Sequence, residues 1–361
     1  MSVEFLTIQN FRNLANSQVK FHHNLNFIIG ENGSGKSSIL EAIFFLGHGK
    51  SFRTTKIDSI ATYNQTDFTV SIKDNLSKQL GICRNVVSSQ FEIRLNGSKV
   101  HKLSDLAKNI VVQIVTPESF KLFFGGPKER RRFIDLGLFH VEHDFPLQWK
   151  VFTKVLKQRN ACLKSKSIKE LPYWTNEFCN HSTKIALYRR SYIEQLKEEL
   201  TLWLAILLPT FKNNIDLQYF QGWSLKKELE EILLMSIEKE LQYGYSLAGA
   251  HKFDIKFIIN NQPLELTLSR GQQKLFLLAL TLAQTKIIAK VKQVKPILLI
   301  DDIGAELDQY SRLALAEAIN KLDCQVIITA IDKIAVEPLV SKDKNYKMFH
   351  VKHGEISIES E

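Results

Sequence analysis

Gly30-Glu31-Asn32-Gly33-Ser34-Gly35-Lys36-Ser37 is a complete G-x-x-x-x-G-K-S phosphate-binding loop. Its neighbours fit: Leu25-Asn26-Phe27-Ile28-Ile29 reads as an apolar strand entering it, and Ser38 to Leu46 as a helix leaving it. The glycines allow backbone angles that turn consecutive N–H groups toward a β-phosphate. Lys36 reaches the β- and γ-phosphates, and Ser37 offers its hydroxyl to Mg²⁺. All eight residues, Gly30, Glu31, Asn32, Gly33, Ser34, Gly35, Lys36 and Ser37, are therefore expected around a bound ATP.

The rest of the composition suits a protein that meets a polyanion. The chain has 361 residues, 44% of them hydrophobic, enough for two domains and a sizeable core. Its 48 Lys and Arg against 38 Asp and Glu give a net charge of +10, which favours nucleic acid as a partner. Cys83, Cys162, Cys179 and Cys324 form no C-x-x-C pair, so neither a zinc ribbon nor a disulfide framework is expected, and a reducing cytoplasm is the natural setting. Met1-Ser2-Val3-Glu4-Phe5 carries an acid and no signal-like apolar block. Charge-free runs such as Thr201 to Phe211 and Leu275 to Thr285 are too short to cross a bilayer, so no membrane partner is expected.

Strand-like segments fill the early chain: Ser2 to Ile8, Gln18 to Phe21, Thr69 to Lys73 and Gln90 to Leu95. Between residues 126 and 243 the pattern becomes helical, with Ile185, Tyr188, Tyr192, Leu196, Leu200, Trp203 and Leu207 at three- and four-residue spacing. Strands return after Ser246, and Pro296-Ile297-Leu298-Leu299-Ile300 is an apolar run of the kind found in a buried parallel sheet. The reading is an α/β head, residues 1–125 and 244–361, whose two parts share one sheet, interrupted by a helical insertion over 126–243. Lys342 to Lys347 reads as a polar turn.

Two further motifs belong to the same chemistry. Asp301, at the end of that apolar run, is placed to bind Mg²⁺ at the sheet's carboxyl edge, and Asp302 to hold and polarise the attacking water as a general base. Ser269-Arg270-Gly271-Gln272-Gln273-Lys274 opens an apolar helix, where a hydroxyl, N–H groups and the positive dipole end can meet an anion.

The order of these parts (phosphate loop, long insertion, S-x-G-Q, strand with an acidic pair, then Glu306-Leu307-Asp308) resembles the ABC-type ATPases, in particular the SMC and RecF group. Within that group the chain is similar to the RecF family. The carrying residues are Ile8-Gln9-Asn10-Phe11-Arg12-Asn13, Leu46-Gly47-His48-Gly49-Lys50-Ser51-Phe52-Arg53, Pro117-Glu118, and Gly125-Gly126-Pro127-Lys128-Glu129-Arg130-Arg131-Arg132-Phe133-Ile134-Asp135. The resemblance implies an ABC-type P-loop ATPase head with an inserted helical domain. It implies Arg12, Gly271 and Asp308 at the nucleotide and Gln113 as the glutamine linking Mg²⁺ to the helical domain. Ser269 would act in trans to complete the ATP site of a second subunit. It also implies an ATP-dependent homodimer that works at duplex, single-stranded and gapped DNA in replication, recombinational repair and SOS induction, with weak DNA-stimulated ATP hydrolysis and a RecR-like mediator as partner. Gly249-Ala250-His251-Lys252 departs from the family's G-P-H-[RK], losing the proline's stiffening, and Thr329 stands where transporters carry a phosphate-sensing histidine.

Charge is uneven: residues 121 to 200 hold sixteen Lys and Arg against nine Asp and Glu. Lys128, Arg130, Arg131, Arg132, Lys150, Lys154, Lys157, Arg159, Lys164 and Lys166 are the candidates for DNA phosphates, contacts that position without reading bases. His140-Val141-Glu142-His143 is not H-E-x-x-H and reads as surface rather than a metal site. Two other classes share the phosphate loop. A transporter subunit should show a membrane-coupling surface and the sensing histidine, and a small-molecule kinase a lid in place of S-R-G-Q-Q-K.

Overall fold

The computed structural model describes residues 2–102, 109–167, 169–303, 307–340 and 345–359. Ala305 and Glu306 of the late acidic motif, and residues 342–344 of the expected polar turn, lie outside them. In chain order, β1 (Val3–Gln9), β2 (Ser17–Lys20) and β3 (Leu25–Ile29) lead into α1 (Lys36–His48). Strands β4 (Asp67–Asp74), β5 (Gln79–Asn85), β6 (Phe91–Leu95), β7 (Ser98–Val100) and β8 (Val112–Val115) follow. Next come α2 (Pro127–Val141), α3 (Phe145–Ser165), α4 (Leu171–Leu207), β9 (Ile215–Phe220), α5 (Leu229–Met235), α6 (Ile237–Tyr243), β10 (Asp254–Ile259) and β11 (Gln262–Pro263). The last elements are α7 (Arg270–Lys292), β12 (Ile297–Ile300), α8 (Gln309–Asn320), β13 (Gln325–Ala330), β14 (Tyr346–Lys352) and β15 (Glu355–Ile358).

Two compact units result: Met1–Ser119 with Ile206–Leu208 and Arg270–Glu361, and Phe120–Ala205 with Pro209–Ser269. In the first, one sheet has the order β15-β14-β3-β13-β12-β8, parallel except for the edge strand β15. Strands β3, β12 and β13 are buried along their whole length, as largely apolar strands should be when both faces of the sheet are covered. This sheet joins β3 and β8 to four late strands, as expected. The remaining early strands instead form a separate antiparallel sheet, β2-β1-β4-β5-β6-β7. The alternating burial of β4 explains it: a period of two needs one covered face and one open face, which a doubly covered parallel sheet does not offer.

Helix α1 shares one core with both sheets. Its Ile39, Leu40, Ile43 and Phe45 cluster with Leu6, Phe68 and Ile82 of the antiparallel sheet and with Ile297, Leu299 and Ile327 of the parallel one. Buried Gln325 stitches the sheets together: its side-chain oxygen accepts from Val3 N at 2.8 Å, and its amide nitrogen donates to the Val3 and His22 carbonyls at 2.8 Å.

The second unit packs α2, α3 and α4 with the antiparallel sheet β11-β10-β9. The sequence reading returns the chain to the head at residue 244, whereas residues 244–269 cluster with the helices, because β10 pairs with β9 along its full length. Two buried arginines organise the interior. Arg159 and Glu240 are both fully buried and meet at 2.6 Å, with the Ser246 hydroxyl accepting a second guanidinium bond. Arg189 donates twice to Asp135 at 2.9 Å and once to the Ala250 carbonyl at 2.6 Å. That last bond holds the turn that lacks the family's proline. Beside it, burial above all pushes the His251 imidazole down to about 4 from an ordinary 6.5.

Two outcomes follow from these interiors. Glu240→Ala strands a buried guanidinium and is expected to cost about 3–5 kcal/mol in chemical unfolding, with part of the loss recovered when Arg159→Met is added. The neutral His251 ring is favoured by the fold, so its contribution to stability is complete above pH 6.5 and is lost as pH falls toward about 4. His251→Gln should flatten the acid side of the stability curve over that interval.

Candidate nucleotide-binding site

The parallel register brings the ends of β3, β13 and β12 to one edge, with Ile29 opposite Ala330 and Ile300 opposite Ile328. There, in the first unit, opens a cavity of about 880 Å³ lined by Asn32, Gly33, Gly35, Lys36 and Ser37 of the loop, by Arg12 and Asn13, and by Asp301, Asp302 and Thr329. Gly30 has φ 153°, and a Cβ there would lie 2.3 Å from the Val351 carbonyl oxygen. Gly35, at φ 120°, precedes α1 with no side-chain cap, so the helix presents its amino end to the cavity.

Lys36, Ser37, Asp301 and Asp302 meet at this cavity. Lys36 Nζ donates to the Gly30 and Glu31 carbonyls at 2.6 and 2.8 Å. Burial lowers its pKa, while Asp302 and Asp301 pull the other way. Asp301 Oδ1 accepts from the Ser37 hydroxyl at 2.9 Å and from the Thr329 hydroxyl at 2.7 Å. Thr329 in turn accepts from the Asp302 main-chain N–H at 2.9 Å. Asp302 Oδ1 is buried without a hydrogen-bond partner, an arrangement that calls for a water or ligand group.

Arg12 lines the cavity from a left-handed backbone conformation, φ 55°, that holds it beside α1. Its Nε and Nη2 donate to the fully buried Glu41 carboxylate at 2.9 and 2.6 Å, and its Nη1 to the Ser59 carbonyl at 3.0 Å. Glu41 also accepts from the Ser51 hydroxyl and lies 3.8 Å from Arg53, a second cavity residue. Asn13 donates to the Gly33 carbonyl at 3.0 Å and so supports the loop from the side. Sequence reasoning missed Glu41, Arg53 and Asn13 as site residues. A signal existed for Glu41, the single acid inside Ile39-Leu40-Glu41-Ala42-Ile43-Phe44-Phe45.

Other expected residues stand elsewhere. Gln113 is buried in β8 with its amide nitrogen unpartnered, and does not line the cavity. Asp308 caps α8 by accepting from Ser311 N at 2.8 Å, a backbone bond that holds its carboxyl below the usual range. Ser269 is exposed and Gly271 half-buried at the start of α7, and neither lines the cavity.

The basic candidates of the second unit divide. Lys128, Arg132, Lys150, Lys154, Lys157, Lys164 and Lys166 are exposed. Arg159 is withdrawn from the DNA set, being buried against Glu240, and Arg130 is committed to Asp254 at 2.8 and 3.0 Å. Arg131 is half-buried and donates to the Phe253 carbonyl at 2.9 Å. His140 is buried in α2, not at the surface. Among the described residues no group of three or more His, Cys, Asp or Glu is placed to hold a metal, and no helix is long and apolar enough to cross a membrane.

A phosphate loop between a buried parallel strand and a buried helix, with an acidic pair ending a strand of the same sheet, defines a P-loop ATPase head of the ABC type. The model for the RecF/RecN/SMC N terminal domain family matches residues 2–357. The DNA replication and repair protein RecF of Colwellia psychrerythraea is 57% identical over 367 residues, covering 99% of this chain and 97% of that one. Its counterpart in Pseudoalteromonas translucida is 38% identical, covering 99% of each. The chain belongs to the RecF family. In fold it is similar to the solved recombination mediator protein RecF bound to ATP, with a TM-score of 0.83 at 24% identity over 99% of this chain and 98% of that one. It is similar too to an Smc head bound to the C-winged helix domain of ScpA, with a TM-score of 0.59 at 17% identity over 99% of this chain and 97% of that one.

Because Glu41 gathers Arg12 and Arg53 at the cavity wall, Glu41→Gln is expected to lower stability by about 1–3 kcal/mol and to weaken ATP binding roughly tenfold. Unfolding curves and a titration with a fluorescent ATP analogue read the two effects separately.

Proposed function

We propose that the chain is an ATP-dependent DNA-binding protein of replication and recombinational repair. It binds ATP with Mg²⁺, dimerises around it, holds duplex and single-stranded DNA at gaps without reading sequence, and uses slow, DNA-stimulated hydrolysis as the release. The observation that carries this reading is the meeting, at one sheet edge, of the phosphate loop with Asp301 and Asp302 in a chain of the RecF family.

Each residue has a separate task. The loop from Gly30 to Gly35 and the amino end of α1 offer N–H groups to the β-phosphate, and Lys36 turns from its loop carbonyls to the γ-phosphate. The Ser37 hydroxyl and the Asp301 carboxylate, 2.9 Å apart, are hard oxygen donors that suit Mg²⁺, with phosphate and water completing the set. Mg²⁺ held by Ser37 and Asp301 would supply positive charge to the phosphate oxygens. The unpartnered Asp302 oxygen holds the attacking water and accepts its proton. Arg12 meets the nucleotide from the cavity wall, and the family pattern assigns Asp308 to the nucleotide and Gln113 to the Mg²⁺ of the same site. A chain with one phosphate loop and one Ser269–Gly271 motif completes two sites by pairing with a second copy.

DNA is held by the exposed lysines of the second unit. Helix α3 contains no acidic residue, and Lys150, Lys154, Lys157 and Lys164 fall at helical spacing on it. Such a stripe neutralises phosphates and reads no bases. A RecR-like mediator is the partner consistent with the RecFOR pathway named for the solved relatives, and the cytoplasm is the location.

Oligomer mass and DNA retention, measured together with ATP, ADP and no nucleotide on duplex, single-stranded and gapped DNA, test the whole reading. ATP-dependent dimers that retain DNA are expected, and monomers indifferent to nucleotide would overturn it. Lys36→Met should abolish ATP binding and dimerisation. Ser269→Arg should keep ATP binding and lose the dimer, and loss of binding itself would count against a composite site. Reversing Lys150, Lys154 and Lys157 to Glu should weaken duplex binding at least about tenfold and flatten its salt dependence, leaving ATP affinity intact.

A further inference from the structure

We propose that Lys274 is a positioning residue for ATP hydrolysis, holding the main chain of Asp302 in the turn that aims its carboxylate at the nucleotide cavity. The proposal rests on the hydrolytic reading above. Lys274 lies in the first turns of α7 and is only 2% exposed. Burying an ammonium is costly, so a lysine in such a place needs strong compensation. Its Nζ donates to the Asp302 carbonyl oxygen at 2.6 Å.

The residue it grips is strained. Asp302 has φ 55°, a left-handed conformation that a non-glycine residue seldom adopts unless surrounding contacts enforce it. Two contacts do so, one on each side of the residue. The Thr329 hydroxyl takes the Asp302 N–H at 2.9 Å, and Lys274 takes the carbonyl. With its main chain pinned at both ends, the side chain reaches the cavity wall beside Lys36 and Ser37, and Oδ1 stays buried and unpartnered.

The choice of acceptor matters chemically. An ammonium bonded to the carboxylate itself would occupy the lone pairs that must receive the water's proton. Bonded to the carbonyl, it fixes direction and leaves that oxygen open. The same lysine closes the Ser269–Lys274 motif, so the segment expected to engage a second subunit's nucleotide is tied within its own chain to the Asp302 of its own site. Engagement at one site therefore has a direct mechanical route to the base of the other.

The test compares Lys274→Met, which keeps the stem and loses the donor, with Lys274→Gln, which keeps a neutral N–H donor. Steady-state hydrolysis is measured with DNA present, beside ATP affinity and ATP-dependent dimer mass. For Lys274→Met, kcat should fall about 10- to 100-fold with KM and dimer mass unchanged within about twofold, and Lys274→Gln should recover part of kcat. In an Asp302→Asn background, already reduced, Lys274→Met should cause no further loss, because both changes act on one group. An unchanged kcat in Lys274→Met, or the same fold-loss repeated in Asp302→Asn, would overturn the proposal. Loss of ATP binding in both variants would also overturn it, reducing Lys274 to a packing role. Absence of hydrolysis by the unaltered chain would instead remove the reading on which the proposal stands.

Discussion

The constraint on which the first unit depends is a helix with an open end inside its core. Helix α1 is buried along most of its length, and the residue before it, Gly35, brings no side chain to cap its first N–H groups. Those first N–H groups have no side-chain partner and face the cavity, where the aligned peptide dipoles add a positive field. A polyphosphate would satisfy both features at once. The surroundings obey this demand. Lys36 waits on loop carbonyls, and Glu41, deep in the same helix, holds Arg12 and Arg53 at the cavity wall rather than letting them seek solvent.

The second unit sorts its cations by chemistry. Its interior takes arginines, Arg159 on Glu240 and Arg189 on Asp135, where a planar fork of donors satisfies a carboxylate and a neighbouring oxygen together. Its surface keeps mainly lysines, with Arg132 and Arg190 beside them, and a lysine's compact hydrated charge tolerates approximate contacts. That division suits a partner recognised by charge and not by sequence, since a lysine stripe places few demands on where each phosphate lies. Each buried arginine is matched by a carboxylate, so these pairs cancel and the basic excess stays with the remaining groups.

Local patterns were legible where chemistry and backbone geometry coincide within a few residues. The phosphate loop, the strand entering it, and Asp301 with Asp302 could be read because glycine spacing and an apolar run ending in acids admit few alternatives. Arg159 could not be sorted from Lys157, as both lie in one helical pattern and only the position of Glu240, far along the chain, distinguishes inside from outside. Strand β10 was readable as a strand, yet its partner β9 was not, because pairing is a long-range choice. Gln113 illustrates a third case: a residue type chosen by family pattern sits inside a strand, away from the cavity. The role of Lys274 was hidden for the same reason as that of Glu41, since both work through groups distant in sequence.

Strand β3, which feeds the phosphate loop, has as its two neighbours β13 and β14, among the last strands of the chain. Gly354, in the turn after β14, donates its N–H to the Ser34 carbonyl, and Val3 is bonded to Gln325 across 322 residues. A chain cut before β13 would therefore keep every residue of the phosphate loop and lose both strands that flank β3.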